Sequence, residues 1–181
     1  MKQQSPTAPP RPVASFDAAD KIPRRVPTPV LRPPLTLCKP TRVPLGAGRR
    51  VIVMPDKGGA GQALAQCLTA LGVEVLLIKD ASATDAVVNQ LKTCLAAGPV
   101  HGIYWLPALD PEGSLLDLNV NTWREALRAR VKSLYHTMRT LYEQIAKPGT
   151  FLISATRLGG QHGYDQGGAV APLGGAVTGF T

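Results

Sequence analysis

The residues best suited to chemistry are three glycines, Gly58, Gly59 and Gly61, which closely follow a short apolar run at residues 51–54. Glycines after a buried strand let the backbone turn tightly and bring amide N–H groups and a helix N-terminus against a phosphate. The chemistry that this spacing suits is binding of a pyrophosphate. These three glycines are therefore the candidate cofactor-binding residues of the chain.

The same loop carries residues that oppose a phosphate. Met54, Pro55 and Asp56 occupy the turn itself. Proline has no N–H to donate, and an aspartate placed where a phosphate should sit adds like-charge repulsion. We therefore interpret the glycines as relics of a binding loop and expect this chain to bind no cofactor.

Other polar and aromatic residues near this loop give weaker signals. Tyr104-Trp105 stands where small polar residues usually line a cleft, and we interpret both rings as core or as a contact plug. Asp110, Glu112 and Asp117 lie in a loop with proline and glycine, where charges normally face solvent. They are not expected to form a paired acid and base.

Histidines and cysteines predict no metal site. The histidines are scattered over a strand, a helix and a loop, without acidic or cysteine partners at ligand spacing. The cysteines are odd in number and lack metal spacing, so we expect reduced structural thiols. The residues concerned are His101, His136, His162, Cys38, Cys67 and Cys94.

Composition divides the chain into a basic start and a neutral remainder. Residues 1–50 hold ten of the twenty Lys/Arg, two of the twelve Asp/Glu and eleven of the seventeen prolines. This tail has one aromatic residue, Phe16, whereas nucleic-acid-binding segments interleave basic and aromatic groups or place the basic groups on a folded face. The net charge of +8 therefore predicts a solvated linker and no nucleic-acid partner, although weak contact with an acidic neighbour stays open.

Three segments follow from the same patterning. Residues 1–21 are predicted to be a disordered Pro/Ala-rich linker, and residues 22–48 an extended Pro-rich segment. Residues 49–181 are predicted to form one Rossmann-like subdomain, incomplete at its C-terminus. The start lacks an apolar signal region, and no stretch approaches the about 20 apolar residues of a membrane span. We expect a cytoplasmic protein without membrane contact.

Strand and helix patterns alternate through the subdomain, which predicts an α/β fold with a doubly wound parallel sheet. Continuous apolar runs suit buried parallel strands, and they cover residues 51–54, 73–78, 100–106 and 150–154. Apolar residues at helical spacing cover residues 61–71, 83–97 and 123–145, with a last helix from about residue 171. The first helix is expected to face inward through Leu64, Cys67, Leu68 and Leu71.

The order of these motifs resembles that of short-chain dehydrogenases/reductases. The loop at 53–61, the strand at 101–106, the helix WREALRARV at 123–131 and the strand FLIS at 151–154 carry this resemblance. With the runs at 153–160 and 171–180, residues 45–181 resemble more closely a ketoreductase region of a type I polyketide synthase. Such regions contain two Rossmann-like halves. The resemblance implies that this chain is the N-terminal, structural half, which has lost cofactor and catalytic residues.

The resemblance also supplies a test for catalysis. Ketone reduction in this family uses a tyrosine, a lysine four residues later and a serine. The residues four positions after Tyr104, Tyr135, Tyr142 and Tyr164 are Ala108, Arg139, Ala146 and Gly168. By resemblance, the lysine position of synthase ketoreductases matches Arg130, the tyrosine position falls near Gly174, and the serine position near Ser154 or Ala155. We therefore expect no catalytic residue in this chain.

The sequence thus predicts a structural subdomain that packs against a catalytic ketoreductase half. The resemblance implies a parent enzyme that reduces a β-ketoacyl thioester on an acyl carrier protein with NADPH, within a multidomain synthase. Two alternatives stay open. One is an NAD(P)-binding dehydrogenase fragment that uses Gly58, Gly59 and Gly61, with catalysis supplied beyond Thr181. The other is a free-standing interaction module.

Overall fold

The computed structural model describes residues 34–38, 43–79, 81, 83–113, 117–159, 163 and 166–181. The predicted linker at 1–21, most of the segment at 22–48, His162 and Tyr164 lie outside these residues. The helices and strands of the described part are β1 Arg50–Met54, α1 Ala60–Ala70, β2 Glu74–Leu77, α2 Thr84–Ala96, β3 Gly102–Trp105, α3 Val120–Leu127, α4 Ser133–Ile145, β4 Phe151–Ser154 and α5 Gly174–Phe180.

The four strands form one parallel sheet in the order β2-β1-β3-β4. Ile52 of β1 lies opposite Leu76 of β2 on one side and Ile103 of β3 on the other. The chain therefore passes from β1 to β2 on one side of β1 and then crosses to β3 on the other side. The direction in which strands are added to the sheet reverses at β1. In such sheets a crevice opens at the carboxyl ends of the two strands that flank the reversal. Each predicted apolar run coincides with an observed strand, and β1 begins one residue before its run, at Arg50.

Alternate side chains of the sheet enter two separate cores. One face, with Ile52, Met54 and Trp105, packs against α2, α4 and α5. The opposite face, with Val51 and Val53, packs against α1. Because helices cover both faces, the predicted doubly wound Rossmann-like α/β fold is confirmed.

The first helix presents a different face to the sheet from the one predicted. Leu64 and Leu68 contact the core, but Cys67 is exposed and Leu71 is 58% exposed. The inward face instead begins at Gly61, where an added Cβ would lie 2.9 Å from the Cα of Pro55. Cys67 lies on the outer face of α1, and α1 ends before Leu71. The prediction that Cys67 is a structural thiol facing the core is therefore wrong.

The third helical segment begins earlier than predicted and is interrupted. Asn119 caps α3 because its side-chain oxygen accepts hydrogen bonds from the backbone N–H groups of Asn121 and Thr122, at 2.9 and 3.0 Å. Thr122 Oγ1 in return accepts from the Asn119 N–H at 3.1 Å. A π-helical turn at Arg128–Lys132 then separates α3 from α4.

The pairing of β3 with β4 depends on one glycine. Gly102 lies opposite Phe151, whose ring covers it, and an added Cβ would come within 2.2 Å of that ring. Phe151 also meets Tyr104 edge to face, with ring centroids 5.3 Å apart. The two aromatic rings thus cover the α1 side of β3 and β4 where no described helix lies.

One arginine that was counted with the basic residues 1–50 belongs to the folded sheet. Arg50 is buried, pairs with Glu74 at 2.9 Å and donates to the carbonyls of Cys94 and Pro99. No helix in the described part of the chain is both long and apolar enough to cross a membrane.

Candidate functional site

A cleft of 610 Å³ lies at the reversal point of the sheet. Met54 and Trp105, the last residues of β1 and β3, contribute to its wall, and Arg128 at the start of the π-helical turn contributes from the other side. The cleft also includes Asp56 and Lys57 of the glycine loop. The sheet topology therefore places the predicted binding loop beside a cavity of ligand size.

The glycine loop is closed by its own aspartate. The backbone N–H of Gly61 donates to Asp56 Oδ1 at 2.7 Å, and that of Ala60 donates to Asp56 Oδ2 at 3.2 Å. These amides form the first turn of α1, which is where such a loop would hold a phosphate. The Asp56 carboxylate is thus an internal anion at the phosphate position. The sequence predicted only that Asp56 would repel a phosphate, whereas in the structure its carboxylate accepts the hydrogen bonds that a phosphate would accept.

The three predicted glycines support this closed loop. Gly59 precedes α1 with a φ of 91°, a conformation that favours glycine. An added Cβ at Gly58 would lie 2.9 Å from Asp56 Oδ2, and the one at Gly61 would meet Pro55. All three therefore have a structural reason to be glycine in a loop whose anion is Asp56.

The ionisation of Asp56 matches this capping role. Burial raises the pKa of the carboxyl. The backbone hydrogen bonds from Gly61 and Ala60, with smaller contributions from the N–H groups of Asp56 and Gly58, together lower this pKa by more than burial raises it. The net result is a pKa below the ordinary value of 3.8. Asp56 is therefore charged at neutral pH and complements the positive end of the α1 dipole.

A second carboxylate ties the loop to the residues after β3. Asp110 Oδ1 accepts a hydrogen bond from the backbone N–H of Lys57 at 2.7 Å. The amide of Lys57 is therefore also used internally.

Arg130 forms a buried ion pair with Glu112. The resemblance matches this position to a catalytic lysine. Arg130 Nε lies 2.9 Å from Glu112 Oε1, and the side chains are 9% and 1% exposed. Its Nη2 donates to the carbonyl of Asp110 at 2.9 Å. Glu112 Oε2 in turn accepts from the N–H of Leu173 at 3.2 Å. The expectation that Glu112 faces solvent is wrong, because its carboxylate pairs with Arg130, eighteen residues further along the chain.

The position matched to the catalytic tyrosine is closely packed. Gly174 is buried, and an added Cβ would lie 3.1 Å from Thr156 Cβ and 3.1 Å from Leu158 Cδ2. Ser154, at the matched serine position, shares a 2.9 Å hydrogen bond with the hydroxyl of Thr181. The three matched positions therefore hold a buried glycine, a serine hydroxyl paired with Thr181, and an arginine paired with Glu112.

The neighbouring rings of Tyr104 and Trp105 lie on opposite faces of the sheet. Trp105 is fully buried in the core that faces α2 and α4 and lines the cleft. Tyr104 packs in the other core against Phe151. Burial raises the pKa of Tyr104, which is opposite to the activation that a catalytic tyrosine needs. Both rings are core residues, as predicted, and only Trp105 also contributes to the cleft.

The described histidines have ordinary roles. His101 Nδ1 accepts a hydrogen bond from the backbone N–H of Arg50 at 3.1 Å, and His136 meets Tyr135 edge to face. Across the described ranges, no group of three or more His, Cys, Asp or Glu residues is arranged to hold a metal ion.

Comparison with solved structures gives the class of the fold. An aldohexose dehydrogenase from Thermoplasma acidophilum superposes with a TM-score of 0.61 at 16% identity, over 76% of this chain and 60% of that one. A short-chain dehydrogenase/reductase from Serratia marcescens gives 0.60 at 18%, over 75% and 70%. One from Brucella melitensis gives 0.58 at 14%, over 75% and 66%. No protein-family profile and no curated protein matches the sequence.

The chain therefore has the fold of short-chain dehydrogenases/reductases, and it spans 60% of the length of the first structure compared. Members of that fold class are expected to hold NAD(P) at the glycine loop. Here the residues do not fit that group, because Asp56 already accepts from the Ala60 and Gly61 amides that its pyrophosphate would need.

Proposed function

We propose that this chain is the structural, non-catalytic half of a ketoreductase region in a type I polyketide synthase. The observation that carries this proposal is the Asp56 carboxylate, which occupies the amides of Ala60 and Gly61 at the start of α1. A partner half would bind NADPH and reduce the β-ketoacyl thioester carried by an acyl carrier protein. The contribution of this chain is to hold that half in shape.

The matched catalytic positions support a structural role. Arg130 neutralises Glu112 and fixes the loop after β3, so its guanidinium does not face the cleft as a free charge. Gly174 packs under Thr156 and Leu158. Both positions contribute to packing, and neither residue type can perform the role of a lysine or a tyrosine in ketone reduction.

An uncovered part of the sheet supports docking to a partner. In the described structure β4 is an edge strand, and Ile153 on it is 45% exposed. On the same face Phe151 and Tyr104 are only partly buried, because α1 packs against the other end of the sheet. Edge strands and apolar patches of this kind usually have a covering partner.

NADPH titration tests the closed loop directly. We expect millimolar NADPH to leave the thermal midpoint of the chain and the cofactor fluorescence unchanged. A site filled at a hundredfold excess over its dissociation constant would stabilise the fold by about 2.7 kcal/mol. The matched control is Gly59→Ala, which should lower the midpoint through its positive φ without changing the response to NADPH. Saturable binding that Gly59→Ala weakens would contradict the proposal.

Association with a catalytic half tests the structural role. We expect the chain to form a stable complex with a separately produced catalytic half of a type I synthase ketoreductase, measured by analytical ultracentrifugation. Ile153→Asp should weaken this complex because it places a charge on the uncovered face. The control Tyr142→Asp changes an exposed ring on α4, on the other side of the sheet. A chain that stays monomeric beside such halves would favour a free-standing interaction module instead.

One observation favours the NAD(P)-binding alternative, since the 610 Å³ cleft at the reversal point persists. Under that alternative the loop would have to release Asp56 before a pyrophosphate could bind. Asp56→Ala would then gain affinity for NADPH. Under the structural role, the same variant loses stability and gains no cofactor binding.

A further inference from the structure

The helical segment from α3 to α4 carries most of the positive charge of the folded part. Residues 51–181 hold ten Lys/Arg and ten Asp/Glu, and residues 120–147 hold six of these cations but only two of these acids. The segment therefore has a net charge of +4, and the rest of residues 51–181 has a net charge of −4. Charge is thus segregated on the surface of a folded part that is neutral as a whole.

Most of these cations are available to a partner. Arg128 and Arg130 are each paired with a glutamate. The other four cations are exposed, and none of them forms an ion pair with another described residue; they are Arg124, Lys132, Arg139 and Lys147. Glu143 is the one exposed acid of the segment that is not already paired with an arginine in the described structure.

Exposed aromatic rings alternate with the cations along α4. Tyr135 is 48% exposed and Tyr142 is 66% exposed. Both rings lie on one side of the helix with two of the cations, because the four positions are spaced three, four and three residues apart. Tyrosine and arginine are enriched among the residues that dominate binding at protein interfaces. We call these four residues the basic face: Lys132, Tyr135, Arg139 and Tyr142.

An apolar groove borders the basic face. It has a volume of 460 Å³ and lies between α4 and α5. Tyr142 from α4 and Phe180 from α5, which is 40% exposed, line it with rings that an occupant can reach, and the half-buried Met138 adds a thioether. The groove therefore suits apolar side chains that project from a partner.

The sign of the charge distinguishes the possible occupants. A second copy packed symmetrically here would bring the same cations together, and residues 1–50, with their net charge of +8, would be repelled. A nucleic acid would use the cations but leave the apolar groove unfilled, and Glu143 in the groove would repel its phosphates. An acidic protein segment with apolar side chains matches both the cations and the groove.

We propose that the basic face and its groove dock an acidic amphipathic helix of a partner protein. Carboxylates of that helix pair with Lys132 and Arg139, and its apolar side chains enter the groove beside Tyr142 and Phe180. This is recognition of a helix in a groove. The site lies on the α4 side of the sheet, whereas the catalytic half is proposed to dock on the opposite face of β4, so the inference goes beyond the proposed function.

A designed peptide serves as the probe, with leucines along one side of a helix and glutamates beside them. We expect the full chain to bind the fluorescently labelled peptide saturably, measured by anisotropy. Affinity should fall as salt rises from about 50 to about 500 mM, because exposed charges are screened. A scrambled peptide of the same composition keeps the charge without an apolar side, so it should bind about tenfold more weakly or worse.

Matched charge reversals separate the basic face from the basic N-terminal residues. Lys132→Glu combined with Arg139→Glu should weaken peptide binding about tenfold or more. Arg24→Glu combined with Arg25→Glu makes the same change in net charge within residues 1–50 and should have little effect. Circular dichroism confirms that both double variants stay folded.

Removal of one ring tests the groove without a change of charge. Tyr142→Ala should weaken peptide binding about tenfold, because it removes an exposed ring that lines the groove. Leu71→Ala, at a 58% exposed position just after α1, should leave the affinity unchanged.

Four results would overturn the site. These are the absence of saturable binding, equal binding of the scrambled peptide, equal loss in the two charge-reversal variants, and an unchanged affinity in Tyr142→Ala. A single-stranded oligonucleotide that binds more tightly than the peptide, and that the basic-face variant releases, would assign the face to nucleic acid instead. Failure of the structural role is distinct, since it would show as NADPH binding or as the absence of a complex with the catalytic half.

Discussion

Replacing Arg130 with methionine is expected to lower the free energy of unfolding by about 3–5 kcal/mol, because it leaves a buried carboxylate without its partner. The Glu112 side chain is 1% exposed, and its only cationic neighbour within 4.0 Å among the described residues is Arg130. The methionine keeps most of the side-chain volume, so the loss reflects charge and hydrogen bonding more than a cavity. Urea unfolding followed by circular dichroism measures it.

A control substitution distinguishes loss of the ion pair from a general effect of replacing an arginine in this helical segment. Arg124→Met, at an exposed position of α3, should change stability by less than about 0.5 kcal/mol. The double variant Arg130→Met with Glu112→Gln should recover part of the loss, because no uncompensated charge then remains buried. An Arg130→Met chain within about 1 kcal/mol of the parent would show that Glu112 finds water or another partner.

Asp56→Asn is expected to cost about 1–2 kcal/mol at neutral pH, since the charged cap of α1 is lost while its shape is kept. The pH dependence identifies the cause. The pKa of Asp56 in the folded chain lies below its ordinary value of 3.8. Its stabilising contribution is therefore complete above pH 3.8 and is lost as the pH falls through the lower, folded-state pKa.

The measurement is the difference in unfolding free energy between the parent chain and Asp56→Asn over this range. The difference should be constant from neutral pH down to pH 3.8 and shrink below it. Using a difference cancels the other carboxylates, which titrate in both chains. A difference that does not shrink in acid would mean that hydrogen-bond geometry, and not charge, stabilises the cap.

The strands were predictable because a parallel sheet with helices on both faces needs continuous apolar runs, and this sequence has four of them. The loop residues were also informative, since Pro55 and Asp56 predicted that a phosphate would not bind. The sequence did not reveal that the Asp56 carboxylate would itself occupy the amides of α1. An aspartate four and five residues before those amides was a signal for such a cap.

The predictions from sequence were wrong where contacts between residues far apart in the chain override the local pattern. Glu112 looks like a solvated loop residue until Arg130 and the Leu173 N–H are brought beside it by the fold. The start of α3 was missed although Asn119 and Thr122 form a capping box, which is a local signal. The π-helical turn that places Arg128 at the cleft has no recognised pattern in the residues themselves.

The cap on α1 changes how this fold depends on its surroundings. A dehydrogenase whose loop is completed by a bound dinucleotide gains stability in proportion to the logarithm of cofactor concentration, and loses it when the cofactor is scarce. In this chain the corresponding anion is covalently attached, four and five residues from the amides that it meets. Its local concentration is fixed by the backbone, so the first turn of α1 is completed as soon as the chain folds, whatever the nucleotide supply of the cell.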